Sequence, residues 1–548
     1  MGCSNQPILD EDIKVLHSMG YAQELARRMT GFSNFAVSFS LICILAGGIT
    51  AFPNALSAGG PFSVTIGWLI GGVFAMIVAS SMGQIASAYP TAGGLYHWSS
   101  ILGGRGWGWA TAWLNLVALI FVIASVDVGV YQLFRDMVLR GILGVDVSAW
   151  VVTPIGFGLS VDPHQTGAVI LIVVTQALFN HFGIRITTLL TDFSGYLIFA
   201  AAIALTVTMF VFGSTHDFRR ILSFTNNTGK SGGAFYPQAR SPFVAFLVGL
   251  LYPLYTISGF DASAHVSEET VSARTAVPRA MLHSVGWSVF FGFIMAVSFI
   301  TATPNLADAA KEGASSWFTL FNHLPMPQLL RQLLVVALVI ANYLCALAAM
   351  TSTSRMVYAF ARDRGLPFSR ILMSVSPTYR TPVRAIWFTG FLSFGVTLYS
   401  PAFAALSVSA AVFLYMSYAM PIAAGLFVEG KSWKEFGPFQ LGRLSRPFAL
   451  VTVLGVMVLM YAGMQPPSEV VASYSIGLGA ILLVLWIASE RRRFKGPPTG
   501  DVIAQRKAEI AASEIAIDRA MKVRGTRATP GSTLRSINLR VVRGLKSL

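Results

Sequence analysis

The chain predicts an all-α membrane protein of about twelve transmembrane helices, and three observations carry that prediction. Of its 548 residues 54% are hydrophobic and 11% charged, with a mean hydropathy of +0.64, too apolar for a soluble fold of this length. Apolar runs of around twenty residues, enough to cross about 30 Å of hydrocarbon as helix, recur along it roughly twelve times. Two of the runs, the first and the sixth, are interrupted by small residues at Ala46-Gly47-Gly48-Ile49-Thr50 and Ser258-Gly259-Phe260-Asp261.

The runs fall at 33–56, 62–87, 107–134, 166–184, 188–213, 243–266, 281–302, 332–357, 385–400, 402–428, 448–464 and 470–489. Around Pro401 a single kinked segment is the alternative to two crossings. The first thirty residues are polar, with Asp10, Glu11, Asp12, Arg27 and Arg28, and lack the short apolar core of a cleaved leader. Met1-Gly2-Cys3 is followed by Gln6 where a myristoylation signal has Ser or Thr. With the N-terminus in the cytoplasm, most of the 39 Lys and Arg fall on the inside, among them Arg362, Arg364, Arg370, Arg380, Arg384, Arg443 and Arg446, as the positive-inside rule requires. Both termini then face the cytoplasm.

This gives a cytoplasmic N-terminal segment 1–32, a transmembrane domain 33–490 and a basic cytoplasmic tail 491–548 with a helical-looking stretch from Val502 to Val523. The outer loops near 141–165 and 214–242 are rich in turn residues and read as irregular. The net charge of +15 sits in short loops and the tail, which points to anionic headgroups and away from nucleic acid. Cys3, Cys43 and Cys345 are too scattered for a zinc or redox pair and read as free thiols. With no leader and no extracellular disulfide, a bacterial inner membrane is expected, with a eukaryotic membrane as the alternative.

Main chain that leaves the helix inside lipid is tolerable only where it lines a cavity or coordinates something. Interruptions at matching positions in two halves are the sequence mark of a solute site at the membrane midplane. Pro53 follows the first break, Pro253 precedes the second, and Asp261 ends it. The expected roles are a carboxylate held on the N–H groups of Gly47, Gly48, Ile49 and Thr50, and an amine on the carbonyls near Tyr255 and Ser258. The bland alternative is glycine used for close helix packing.

Ionisable residues inside the membrane are costly, so each is a functional hypothesis. Asp261, beside the break, and Asp127, in the third span, are the coupling candidates, with a structural hydrogen bond as the alternative for Asp127. Asp192 lies near enough to the start of the fifth span to reach water. His265 stands one turn after Asp261 and is read either as a pH-sensitive partner or as a hydrogen-bonded structural histidine. Glu268 and Glu269 are expected to form water-exposed salt bridges with Arg274 or Arg279, with a gate as the functional version. No histidine cluster, H-E-x-x-H, G-x-S-x-G or P-loop is present in the sequence, so an enzyme has no residues to stand on. No cofactor is expected beyond a coupling ion, proton or sodium.

Three segments resemble the amino acid-polyamine-organocation transporters, on the branch that includes γ-aminobutyrate and choline permeases. They are Ser87-Ala88-Tyr89-Pro90-Thr91-Ala92-Gly93-Gly94-Leu95-Tyr96-His97-Trp98, the stretch from Ser258 to Glu269, and Ser354-Arg355-Met356-Val357-Tyr358-Ala359-Phe360-Ala361-Arg362-Asp363. The resemblance covers most of residues 25–490. It implies the inverted-repeat fold of the sodium-leucine symporter class, spans 1–5 and 6–10 forming the repeats with two helices added. It further implies that Tyr255 covers the solute and that Gly259 and Phe260 line its site, with an aromatic packed between helices as the alternative for Tyr255. Ala348-Ala349-Met350-Thr351-Ser352 resembles the sodium-site segment of sodium-driven members. The implied site takes Ile42, Leu45, Ala348, Thr351 and Ser352, although Thr351 and Ser352 equally suit back-bonding within their helix. The fifth span holds no lysine, and Gln84 stands where the family usually has Glu.

The function these readings imply is secondary active transport of an amino acid or related small amine by alternating access. A choline, polyamine or γ-aminobutyrate carrier is the alternative of the same fold, and a non-transporting nutrient sensor is the alternative from another class.

Overall fold

The computed structural model describes residues 6–145, 153–156, 159–399, 403–466, 468–498, 503, 510–511 and 514–515. Nine of the described helices are long and apolar enough to cross a membrane, and two shorter apolar helices, Pro242–Thr256 and Val383–Leu398, add to them. With the 19-residue helix Pro163–His181, these are the crossings the hydropathy predicted. Pro401 lies outside the described residues. Helices end at Tyr399 before it and start at Phe403 after it. Most of the Val502–Val523 stretch also lies outside them.

Local chemistry sets the helix starts. Thr30 caps the first span by accepting from the Ser33 N–H at 3.1 Å, Asp162 caps the fourth from His164 and Gln165, and Ser241 caps the sixth with Pro242 at its first helical position. The helix Phe52–Ala88 is two helices joined at Gly60, whose φ of 66° no bulky residue adopts without strain. Residues 52–59 complete the first span and 61–88 form the second.

Position in the bundle follows the apolar pattern. The first span is 94% buried over its apolar window while the twelfth, Val470–Arg493, is 11% buried, so the former is the core of the bundle and the latter faces lipid. The outer loop expected to be irregular carries a small antiparallel hairpin, Thr153–Gly156 with Leu159–Val161. The second outer loop holds only short 3₁₀ turns at Phe218–Leu222 and Gly229–Gly232.

Candidate substrate site

Both interrupted spans are interrupted, but the first breaks earlier than its glycines suggest. Helix Gly31–Ile42 ends at Cys43, which is left-handed at φ 30° and ψ 84°, and a new helix runs Ile44–Thr50. Gly47, Gly48, Ile49 and Thr50 therefore lie inside the resumed helix. Their N–H groups are not the free donors expected: that of Gly47 already reaches the Cys43 carbonyl at 3.3 Å. The orphan donors of this turn belong to Ile44 and Leu45. Gly47 instead brings the two broken spans together, because a Cβ there would stand 2.9 Å from the Thr256 main chain. Gly48 faces the Met295 methyl and its carbonyl accepts the Tyr252 hydroxyl at 3.0 Å.

The sixth span breaks where expected. Helix Leu251–Thr256 stops, residues 257–261 run outside any helix with Gly259 at φ 92°, and Ala262–His265 resumes. Main chain exposed there must find partners. Two tyrosines of the tenth span, Phe403–Val428, supply them: Tyr415 donates to the Ile257 carbonyl at 2.9 Å, and Tyr418 accepts from the Gly259 N–H at 2.9 Å. Ser38 of the first span donates to the Phe260 carbonyl at 2.9 Å. Phe260 packs on the Tyr418 ring, their centroids 4.8 Å apart. Tyr255 finds its polar partner in Ser125, oxygen to oxygen at 2.9 Å.

Between the two interruptions is a cavity of about 20 Å³, lined by Ile42, Gly47, Val126, Tyr255, Ser258 and Cys345, with room for about one water. An amino acid fits here only after the surrounding helices move apart. Of the predicted binding residues the cavity wall contains Gly47, Tyr255 and Ser258.

Asp261 organises the break from below. Its Oδ1 accepts the Tyr418 hydroxyl at 2.7 Å, and its Oδ2 accepts from Asn115 at 3.2 Å and lies 3.3 Å from His265 Nε2. His265 Nδ1 stands 3.1 Å from the Ala92 carbonyl, which can only accept, so Nδ1 carries hydrogen. Nε2 is buried with no hydrogen-bond partner among the described residues. Asp127 stands apart from this pair. Its Oδ1 accepts from Gln176 at 2.9 Å, its Oδ2 has no partner among the described residues, and the side chain is fully buried. A polar chain continues from Gln176 through Asn180 to Arg355. Asp192 is half-buried and accepts from Ser33 at 3.0 Å.

At the residues implied for sodium, Thr351 donates to Asn180 Oδ1 at 2.8 Å or back to the Leu347 carbonyl at 2.9 Å. The Ser352 hydroxyl is buried without a partner among the described residues, and Ala348 is buried beside it. Ile42 and Leu45 flank the Cys43 break.

The water-exposed pairing expected of Glu268 and Glu269 with Arg274 or Arg279 is overturned. Both glutamates are fully buried, and their partners come from the eighth span, Gln328–Arg362. Arg355 holds Glu269 at 3.0 and 3.3 Å, and Arg362 holds Glu268 at 2.8 and 3.0 Å. Burial by itself would raise the Glu268 carboxyl, but the Arg362 guanidinium outweighs it and holds the group below its ordinary value. Arg362 also lies 3.9 Å above the Tyr21 ring. Asp363 accepts hydroxyls from Tyr21 at 2.7 Å and Tyr96 at 2.9 Å, and Glu24 accepts that of Tyr358 at 2.7 Å. The three family-like segments thus meet in one buried cluster. Sequence reasoning missed Tyr415, Tyr418, Arg355 and Arg362 as functional residues. The basic residues' place in an otherwise apolar helix was the signal available for the last two.

A profile of the amino acid permease family matches residues 29–487. The chain is 32% identical over 522 residues to the amino-acid permease BAT1 of Arabidopsis thaliana, covering 90% of this chain and 97% of that one. It is 31% identical to the rice BAT1 homolog, over 88% and 95% of the two chains. A putative polyamine transporter of Candida albicans is 26% identical over 93% of each. These relatives are plant and fungal, so the bacterial inner membrane expected from the missing leader and disulfides is not supported. What stands is an integral membrane protein with an amino acid substrate. The chain belongs to the amino acid permease family.

Proposed function

We propose that this permease binds an amino acid or related small amine between the Cys43 break and the 257–261 break, and moves it by alternating access without covalent chemistry. The observation that supports this is the pair of opposed interruptions, with Tyr255 and Ser258 on one wall and Gly47 on the other. The space between them is small because the cytoplasmic cluster is closed. Loss of the Glu268–Arg362 and Glu269–Arg355 pairs would let the helices part toward the cytoplasm.

The coupling ion in this reading is a proton, held between Asp261 and His265 on the segment that follows the break. Opening the sixth span at residues 257–261 would change what Tyr418 and Asn115 supply to Asp261 and so the hold on that proton. Sodium at Ile42, Leu45, Ala348, Thr351 and Ser352 is the weaker reading, since the Thr351 hydroxyl is already engaged with Asn180 or its own helix. We also take the membrane-spanning part to be residues 33–490 with both termini cytoplasmic.

Purified protein in proteoliposomes tests both parts. Saturable uptake of a labelled amino acid, driven by an imposed pH gradient and indifferent to sodium, is the expected result. Asp261→Asn should keep exchange of internal for external solute and lose pH-driven accumulation. If Asp127→Asn alone abolishes that drive, the proton site is Asp127; if no amino acid or amine is taken up at all, the substrate reading is wrong.

A further inference from the structure

A groove of about 900 Å³ lies on the flank of the bundle between the first, fifth and seventh spans, away from the interruptions. Its polar end is formed by Arg28, Arg279 and His283, and its apolar end by Phe32, Phe199, Trp287 and Phe291. Arg279, His283, Trp287 and Phe291 are spaced four apart on the seventh span, Ala273–Ala302, so they form one continuous stripe. That stripe changes from basic to aromatic as the helix leaves the cytoplasmic side. Twelve residues of helix rise roughly 18 Å, close to the ~15 Å depth of one leaflet's hydrocarbon.

The three basic side chains are exposed, and none has a side-chain hydrogen bond or ion pair among the described residues. This contrasts with neighbouring Arg27, which has Asp12 at 3.7 Å and the Thr270 carbonyl. The aromatic end is built rather than incidental: Phe199 contacts Trp287 and Phe291 edge-on at 6.1 and 5.3 Å, and Trp287 stacks on Phe291 at 5.8 Å. An unpaired basic cluster with two arginines over an aromatic trough, at leaflet depth and facing lipid, is complementary to one class of molecule.

We propose that the groove is a binding site for one anionic phospholipid of the cytoplasmic leaflet, its phosphate on Arg28, Arg279 and His283 and an acyl chain along Phe32, Phe199, Trp287 and Phe291. Charge complementarity fixes the head, and the stripe fixes the chain direction. The lipid would bridge the first half of span one, which ends at the Cys43 break, to spans five and seven.

The test is native mass spectrometry of the full chain released from bilayers of phosphatidylcholine and phosphatidylglycerol at 4:1. Wild type should retain one phosphatidylglycerol roughly tenfold over its share of the bilayer, and Arg28→Gln/Arg279→Gln should reduce that excess to the level of phosphatidylcholine. Because both arginines are exposed, that variant should melt like wild type. Arg279→Glu serves as a second variant and should reject phosphatidylglycerol while keeping phosphatidylcholine. Truncation after Pro498 should leave the excess intact. The proposal is overturned if the double variant keeps the wild-type excess, or if only the truncation removes it, which would assign the lipid to the basic tail.

Discussion

Arg355 Nε donates to Glu269 Oε2 at 3.0 Å, and neither side chain has any solvent exposure. A pair this deep gives little net stability over an apolar isostere, but removing one partner leaves an uncompensated charge and costs about 3–5 kcal/mol. Glu269→Ala should therefore lower the melting temperature sharply and reduce uptake. Glu269→Ala/Arg355→Met should recover much of the stability without recovering transport, because the closing contact is gone. A double-mutant melting series checks this; a double variant destabilised by the sum of the two single variants would show that the pair is not coupled.

Tyr418 is the second point of leverage. One hydroxyl accepts from the Gly259 N–H and donates to Asp261, tying the tenth span to the broken sixth. Tyr418→Phe leaves two buried groups short of a partner, at about 1–3 kcal/mol. Tyr415→Phe, which frees only the Ile257 carbonyl, should cost less. Melting temperatures rank the two, and the reverse order would show that the Gly259 and Asp261 contacts matter less than the Ile257 carbonyl.

The difference between the two breaks shows what the sequence reveals. The sixth is marked by Pro253, Gly259 and Asp261, residues whose backbone or charge advertises a departure from helix. The first occurs at Cys43, a residue with no turn preference, held left-handed at a cost on the order of 1–3 kcal/mol by its surroundings. Gly47 and Gly48 were conspicuous for a different reason, since Gly47 permits close approach to Thr256. Tyr418 and Asp261 are 157 residues apart, and Arg355 and Glu269 are 86 apart. No local pattern encodes such partnerships, which explains why Glu268 and Glu269 were assigned to the nearer arginines.

Gly47→Ala tests the packing role directly. Its Cβ would stand 2.6 Å from the Thr256 hydroxyl and 2.9 Å from the Thr256 Cα, and the main chain cannot yield as a side-chain tip can. Overpacking of this kind costs about 1–3 kcal/mol, and it should slow transport by forcing the two broken spans apart. Unchanged melting and uptake would mean that the two spans slide freely at this point.

His97, on the short helix Leu95–Gly103 near the Arg362–Glu268 pair, supplies a pH dependence. Burial, with the Arg362 charge adding to it, pushes its imidazole down from 6.5 to about 3. A histidine depressed in the folded state contributes stability above its unfolded value, and that contribution is lost as pH falls from 6.5 toward 3. Between pH 7 and 5.5 the loss is about 1 kcal/mol. Glu268, also depressed, adds a loss only below its ordinary value of 4.5. His97→Phe keeps a ring against Tyr21, 5.6 Å away in wild type, and should flatten the melting curve between pH 7 and 5.5 while leaving the steeper fall below pH 4.5. An unchanged slope above pH 5 would exclude His97 as its source.

The tail begins as part of the folded unit. Phe494 is fully buried, its ring 6.2 Å from Tyr96 and 5.9 Å from Phe360, and Pro498 packs against Gly20. Arg493 reaches the Leu366 carbonyl at 3.4 Å, and Glu514 accepts from the Gln23 N–H at 3.0 Å. These contacts fall on the elements that carry the buried glutamate–arginine cluster, since Tyr96 also donates to Asp363. Removing a buried phenyl ring costs about 3–5 kcal/mol. Phe494→Ala should therefore destabilise the protein and loosen the gate, raising the leak of a preloaded amino acid from proteoliposomes. A chain ending at Pro498 keeps Phe494 and Arg493 and should melt within a few degrees of wild type. If Phe494→Ala melts like wild type while truncation at Pro498 is severe, the stabilising contact is the Glu514 segment and the ring is incidental.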